Sequence, residues 1–325
     1  MRPPDDWHII RRRSAPPWWL ALPAGVALVV ALAIGMCTSG GSTSPPSSAA
    51  NDPCATDGCP TATDEGPVYS GSGSESAAPP VTGEAAAVLD VDCGTLLYGK
   101  NASERLPPAS LVKIATALVA IERGDLDRVV PIKVNSELLV ASTASTVMGL
   151  EPGQRLTMRD LLHGLLLASG NDAAIAIAEE IAGNEPAFVE LMNAKAAELG
   201  LADTHFSNSH GLDEPKLYSS AFDMALLGRA LLANGELAAI VRTKSYQPSW
   251  DGPMVWNGNG LLDLYPWALG IKIGLTEDAG QTIVAAAEAQ GRTLIVTVLG
   301  SQSRYSDAIA LFEWAFAETG SACEA

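Results

Sequence analysis

The sequence predicts an α+β domain built on a mainly antiparallel sheet and spanning residues 84–325. Three observations carry this reading. Strand-like apolar runs lie at both ends of the stretch. Helical periods fill its middle. The residues before it hold too few large apolar side chains to close a core. Strands grouped apart from helices argue for segregated layers rather than βαβ alternation.

Taken in order, residues 1–17 precede an apolar stretch, 18–37, and Arg11, Arg12 and Arg13 lie just before it. Its length is close to the ~20 residues that span a bilayer. The arginines place the N-terminus in the cytoplasm and the remainder outside. A cleaved signal peptide shares these features, so secretion is the alternative. A lipoprotein at Cys37 is disfavoured by Met36. Residues 38–83, rich in Ser, Thr, Gly, Pro and Ala, read as a disordered tether. Five cysteines suit an oxidising compartment. Cys54 and Cys59 are close enough in sequence to pair, Cys93 and Cys323 pair if the domain ends meet, and Cys37 is left over.

The domain begins with strands Ala85–Asp92 and Thr95–Tyr98, joined at Cys93-Gly94. Pro107 and Pro108 keep the next segment extended, so a helix opens at Ser110, with Leu111, Ile114, Leu118 and Ile121 on one face and Gly124 at its end. Residues 129–150 read as irregular. Thr157 and Asp160 form a capping box for a helix that stops at Gly170. Asn171 and Asp172 cap the next, Ala173–Ala182. Asn184 and Pro186 open another, to Gly200. Ser220 and Asp223 cap one more, to Gly235. Strands Ile271–Leu275, Thr282–Ala289 and Thr293–Leu299 follow, the last two linked through Gln290-Gly291, and Ser306 caps a closing helix. The first strands must join the last ones.

Composition excludes some partners. A formal net charge of -17 argues against nucleic acid and anionic lipid as partners of the domain. No phosphate loop and no metal-ligand spacing is present, so neither cofactor nor metal is expected. His205, His210 and Asp213 are read as a loop buttress rather than a metal site or triad. Trp250, Trp256 and Trp267 are read as core or rim packing, and Asn257 and Asn259 as loop-fixing residues.

Chemistry centres on Ser110-Leu-Val-Lys113. Serine and lysine one turn apart share a helix face. A desolvated, neutral lysine there takes the hydroxyl proton and turns a poor nucleophile into a good one. Two further short elements follow in order: Ser169-Gly170-Asn171 between two helices, and Lys272-Ile273-Gly274 on a strand. The trio resembles the Ser-x-x-Lys, Ser-x-Asn and Lys-Thr-Gly set of penicillin-binding proteins and serine β-lactamases. The flanks Pro108–Leu118, Leu165–Ala174 and Asn208-Ser-His-Gly-Leu-Asp213 resemble low-molecular-mass D-alanyl-D-alanine carboxypeptidases, the S11 serine peptidases.

The resemblance implies a β-lactamase/transpeptidase-like fold: a five-stranded antiparallel sheet, a helical cluster, and an active site in the cleft between them. It implies that Ser110 is the nucleophile and Lys113 its proton acceptor. Ser169 then relays a proton to the leaving D-alanine, and Asn171 positions Lys113 and the substrate amide. Lys272 and Gly274 belong to the substrate-binding strand, with Lys272 drawing the terminal carboxylate. The N–H groups of Ser110 and Leu275 form the oxyanion hole. Peptidoglycan stem peptides are the implied substrate and β-lactams the implied inhibitors. A serine β-lactamase and a non-catalytic cell-wall scaffold are the alternatives; the first lacks the Glu-x-x-Leu-Asn pattern of class A deacylation. Ile273 replaces the family's usual threonine, which implies a weaker or altered enzyme unless Thr276 or Arg304 compensates.

Overall fold

The computed structural model describes residues 78–319, apart from Ala144 and Asp251. The N-terminal apolar stretch, most of the tether and Cys37, Cys54, Cys59 and Cys323 lie outside the described residues. Among those described, no single helix is long and apolar enough to cross a membrane.

The elements run β1 (Ala85–Asp90), β2 (Leu96–Lys100), a 3-10 turn (Ala109–Val112), α1 (Lys113–Arg123), β3 (Val129–Pro131), α2 (Ser136–Ser142) and β4 (Arg155–Thr157). Then come α3 (Met158–Leu166), α4 (Asn171–Ala182), α5 (Glu185–Glu198), α6 (Ala221–Ala233), α7 (Gly235–Arg242), β5 (Ser245–Tyr246) and β6 (Val255–Trp256). The chain closes with α8 (Leu261–Leu264), β7 (Ala268–Thr276), β8 (Gly280–Ala289), β9 (Arg292–Ser301) and α9 (Arg304–Glu318).

The main sheet has five strands in the order β2-β1-β9-β8-β7. Every pairing in it is antiparallel. The first strands do join the last: Ala85 faces Leu299 and Asp90 faces Leu294. Because β1 is interior, all six of its residues are buried. Asp90, the one charge among them, is paired with Arg292 at 3.1 Å. Alternate residues feed two cores. Ala85, Ala87 and Leu89 join the helical cluster of α1 and α3–α7, whereas Ala86 and Val88 meet Leu311, Phe312 and Ala315 of α9. The β8–β9 hairpin turns on Gln290 and Gly291, at φ 55° and 74°. These are the left-handed angles that a tight two-residue hairpin requires.

Several local expectations shift. Ser110 does not open the α-helix: it sits in the 3-10 turn, and α1 begins at Lys113. The positive φ of Ala109, 51°, bends the chain there. Neither Asn171 nor Asp172 caps α4, which starts at Asn171 behind Gly170, because both side chains bond elsewhere. Ser306 does not cap the last helix; α9 starts at Arg304. The caps of Thr157, Asn184 and Ser220 are as expected. Asn234 ends α6 and also caps a further helix, α7, for which the sequence reading had no element. Residues 129–150 contain β3 and α2.

Candidate active site

The cleft lies between the edge strand β7 and the helical cluster. Lys113, the first residue of α1, is wholly buried. Its Nζ lies 3.0 Å from Ser110 Oγ, 2.7 Å from Asn171 Oδ1 and 2.6 Å from the His210 carbonyl. Two of these partners are pure acceptors. A neutral amine has two N–H donors and one lone pair, so the two carbonyls take the donors and the lone pair is left for the serine hydroxyl. Burial, reinforced by the charge on Lys272 and opposed by Asp172, holds Lys113 well below the usual lysine range.

The His210 carbonyl is positioned with some force. Thr116, one turn beyond Lys113 on α1, donates to the adjacent Ser209 carbonyl at 2.6 Å. Asn208 Oδ1 receives the N–H groups of His210 and Gly211. Glu185 accepts from both Ser209 groups. Gly211 passes so close to Ala109 that a Cβ would fall 2.0 Å from its carbonyl oxygen. The His210 ring accepts from Leu212 N through Nδ1, and burial pushes it down to about 4, so it is neutral near pH 7. Asp213 accepts from Thr276 Oγ1 at 2.7 Å, tying this loop to the end of β7. The buttress reading of this loop therefore holds, and it also supplies a ligand to Lys113. Thr276 is engaged with Asp213, which removes it as a substitute for the missing threonine.

Asn171 bridges Lys113 and Ser145, donating through Nδ2 to the Ser145 hydroxyl at 2.8 Å. Its neighbour Asp172 anchors the segment that carries Ser145. The buried carboxylate accepts from the N–H groups of Met148, Gly149 and Leu150 and from Ser136 Oγ. Asp172→Ala would strand these donors, at about 1–3 kcal/mol for each one left unsatisfied. A loss of at least 3 kcal/mol in unfolding free energy is expected, read by denaturant titration. An unchanged midpoint would mean that water replaces the carboxylate.

Ser169 stands at the α3–α4 turn, half-buried, with φ 60°. Its hydroxyl makes no hydrogen bond to another described residue. A left-handed non-glycine residue costs on the order of 1–3 kcal/mol and marks a constrained position. Ala109 and Ser169, which flank the site from two sides, both adopt it.

On β7, Lys272 is buried and donates to the Ile273 carbonyl at 3.0 Å. Burial, with the nearby Arg304 charge, pushes it down to about 7. Gly274 lies against the nucleophile: a Cβ there would fall 2.9 Å from Ser110 N. Leu275 follows on the same strand and is exposed. Arg304 donates to the Gly274 and Thr282 carbonyls, holding the paired backbone of β7 and β8. Ile273 is half-buried against the α9-side core.

The remaining candidates fall into place. Asn257 donates to the Val241 and Thr243 carbonyls, fixing its loop as expected. Trp250 packs on the core, whereas Trp256 and Trp267 are 66% and 53% exposed and belong to no core. His205 bonds the Lys216 carbonyl. No cluster of potential metal ligands occurs among the described residues. Sequence reasoning missed the His210 carbonyl, Ser145 and the anchoring role of Asp172. The charged Asp172, next to Asn171 and inside an apolar helix, was the only available signal.

An antiparallel sheet with a helical cluster, and a serine hydroxyl 3.0 Å from a buried lysine, define the class of active-site-serine acyl-transferring enzymes that holds the D,D-peptidases and serine β-lactamases. The profile of the D-alanyl-D-alanine carboxypeptidase family, peptidase S11, matches residues 73–303. The chain belongs to that family. It is 36% identical over 242 residues to D-alanyl-D-alanine carboxypeptidase DacF of Bacillus subtilis, covering 72% of this chain and 62% of DacF. It is 38% identical over 245 residues to DacB2 of Mycobacterium tuberculosis, covering 71% and 81%. The crystal structure of a D-alanyl-D-alanine carboxypeptidase from M. tuberculosis superposes with a TM-score of 0.71 at 35% identity, covering 78% of this chain and 97% of that one. The chain thus spans about three fifths of the length of some curated relatives and most of the length of others.

Proposed function

We propose that the protein is a serine-type D-Ala-D-Ala carboxypeptidase that removes the terminal D-alanine from peptidoglycan stem peptides. The observation that carries this reading is the buried Lys113 amine, with two carbonyl acceptors on its N–H groups and Ser110 on its third side. Ser110 Oγ attacks the scissile carbonyl while Lys113 takes its proton. Ser169 passes a proton to the departing D-alanine nitrogen, and water then hydrolyses the acyl-enzyme. Asn171 holds Lys113 and the substrate amide. Lys272 draws the terminal carboxylate, and the N–H groups of Ser110 and Leu275 receive the developing oxyanion. Penicillin acylates the same serine. The apolar stretch 18–37 anchors the chain in the membrane, with the catalytic domain outside the cytoplasm and residues 38–83 as tether; the support is the charge and hydropathy of the sequence.

The test is intact-mass analysis with penicillin, beside a Ser110→Ala control, with D-alanine release from a D-Ala-D-Ala peptide read in parallel. A lasting adduct lost in the control, together with D-alanine release, supports the proposal. Turnover of penicillin without an adduct would point to a β-lactamase. Neither adduct nor turnover would leave the scaffold.

The two lysines also set a pH dependence. Lys272 must be cationic to attract a carboxylate and loses its proton near pH 7. The kcat/KM is therefore expected to fall as pH rises above 7, through KM rather than kcat, because a bound carboxylate stabilises the cation. Lys272→Arg should move this alkaline limb up by at least one pH unit. A limb that stays in place would assign it to another group. Stability runs the other way. Between pH 7 and 10.5 the unfolded chain binds the Lys272 proton and the folded chain does not, so this contribution rises with pH across that window.

A further inference from the structure

Beyond Asn171 the hydrogen bonds of the site continue outward to α2. Asn171 Nδ2 donates to Ser145 Oγ at 2.8 Å, Ser145 Oγ lies 2.7 Å from Thr143 Oγ1, and Thr143 Oγ1 donates to the Leu139 carbonyl at 2.8 Å. The run ends in the last turn of α2, where Leu139 also accepts from Thr143 N. This helix and the segment after it are both tied to α4: Ser136 Oγ donates to Asp172, and the Thr146 carbonyl, next to Ser145, accepts from Asn171 N. Thr143 is exposed and Ser145 half-buried.

The run has a direction. A hydroxyl carries a single proton, and a carbonyl oxygen only accepts. The Thr143 proton therefore goes to Leu139. Thr143 then offers Ser145 only lone pairs, so Ser145 directs its own proton to Thr143 and keeps only lone pairs for Asn171. That selects Nδ2, the donor end of the carboxamide, and turns Oδ1 toward Lys113 at 2.7 Å. Lys113 must donate to Oδ1, as it does to the His210 carbonyl. Both N–H groups of the neutral amine are then engaged, and its lone pair is left for Ser110. With the carboxamide reversed, Nδ2 would donate to that lone pair and take it from the nucleophile.

We infer that Ser145 and Thr143 are positioning residues: with the Leu139 carbonyl they form a one-way chain of hydrogen bonds that keeps the Lys113 lone pair on Ser110. This rests on the reading of Lys113 as the proton acceptor. The other titratable groups around Lys113 are Lys272 on β7, Asp172 on α4 and His210, which is backed by Glu185 of α5. None of them belongs to the chain.

Thr143→Val keeps the shape of the side chain and removes the hydroxyl, Thr143→Ser keeps the hydroxyl, and Ser145→Ala removes the acceptor of Nδ2. Two quantities are measured against pH: the rate of acylation by penicillin, from intact mass, and the protonation of Lys113, from the NMR signal of its Cε. In Thr143→Val and Ser145→Ala the plateau rate should fall about tenfold, and Lys113 should lose its proton about one pH unit lower, because the reversed carboxamide stabilises the neutral amine alone. Rates on the acid side of the titration should stay at the wild-type value, since the ammonium still draws Oδ1 to itself. Thr143→Ser should restore both quantities. A site that had merely loosened would admit water, favour the cation and move the titration up. Such a rise, or wild-type plateau and titration in Thr143→Val, would overturn the inference. Absence of an adduct in the wild-type protein would instead overturn the enzyme reading, and the Lys113 titration would still show whether the chain orients Asn171.

Discussion

A Lys113→Met variant is expected to lose acylation by penicillin, and D-alanine release, by about 10³–10⁴-fold, the upper range for removing a general base. Methionine keeps the length of the side chain and removes the amine. Ser110 then keeps its place but loses the acceptor 3.0 Å from its hydroxyl. Acylation by intact mass over hours measures the loss. Thermal unfolding shows whether the fold survives, since the Asn171 and His210 carbonyls lose their donor. A rate within tenfold of wild type would show that another group takes the proton.

Gly274→Ala is expected to cost at least about 10² in kcat/KM, although alanine adds a single methyl. That methyl would lie 2.5 Å from Thr282 Oγ1 and 2.9 Å from both Ala109 Cβ and Ser110 N. Thr282 is buried and bonded to the Pro108 carbonyl, and Ala109 is buried, so neither yields easily. Either β7 or the turn carrying the nucleophile must move, and displacement by about 1 Å has consequences of this size. Steady-state kinetics well below the melting temperature measures it. Retention of full activity would mean that the edge strand is free to slide.

These two residues differ in how they could be read. The Ser110–Lys113 pair was legible because a three-residue spacing fixes a shared face whether the turn is 3-10 or α. The sheet was legible because β1, β8 and β9 are apolar on both faces and the hairpin residues Gln290 and Gly291 punctuate them. Caps at Thr157, Asn184 and Ser220 were legible because each is a local contact of a few residues. The acceptors of Lys113 were less so. A carbonyl such as that of His210 belongs to every residue type, and 97 positions separate it from its partner. Asp172 was misread for a related reason: an aspartate at a helix start has a plausible local use, and besides the adjacent Ala173 N–H its partners are 22–36 residues away. Helix α7 escaped because Gly235 looked like a stop, whereas Asn234 had already capped the next turn.

The position of β1 bears on how the chain is made. Its ladder with β9 joins Ala85 to Leu299, so the first of the described strands cannot be enclosed until the last of them emerges. At roughly 5–20 residues per second, that delay lasts on the order of ten to forty seconds. During it, β1 can pair with the adjoining β2, but its other edge, the one that β9 covers, stays bare, which is the condition under which chains pair with each other instead. That edge is closed only once β9, which ends at Ser301, has been added. Fusions or truncations that end before β9 should accumulate as aggregates rather than as soluble fragments.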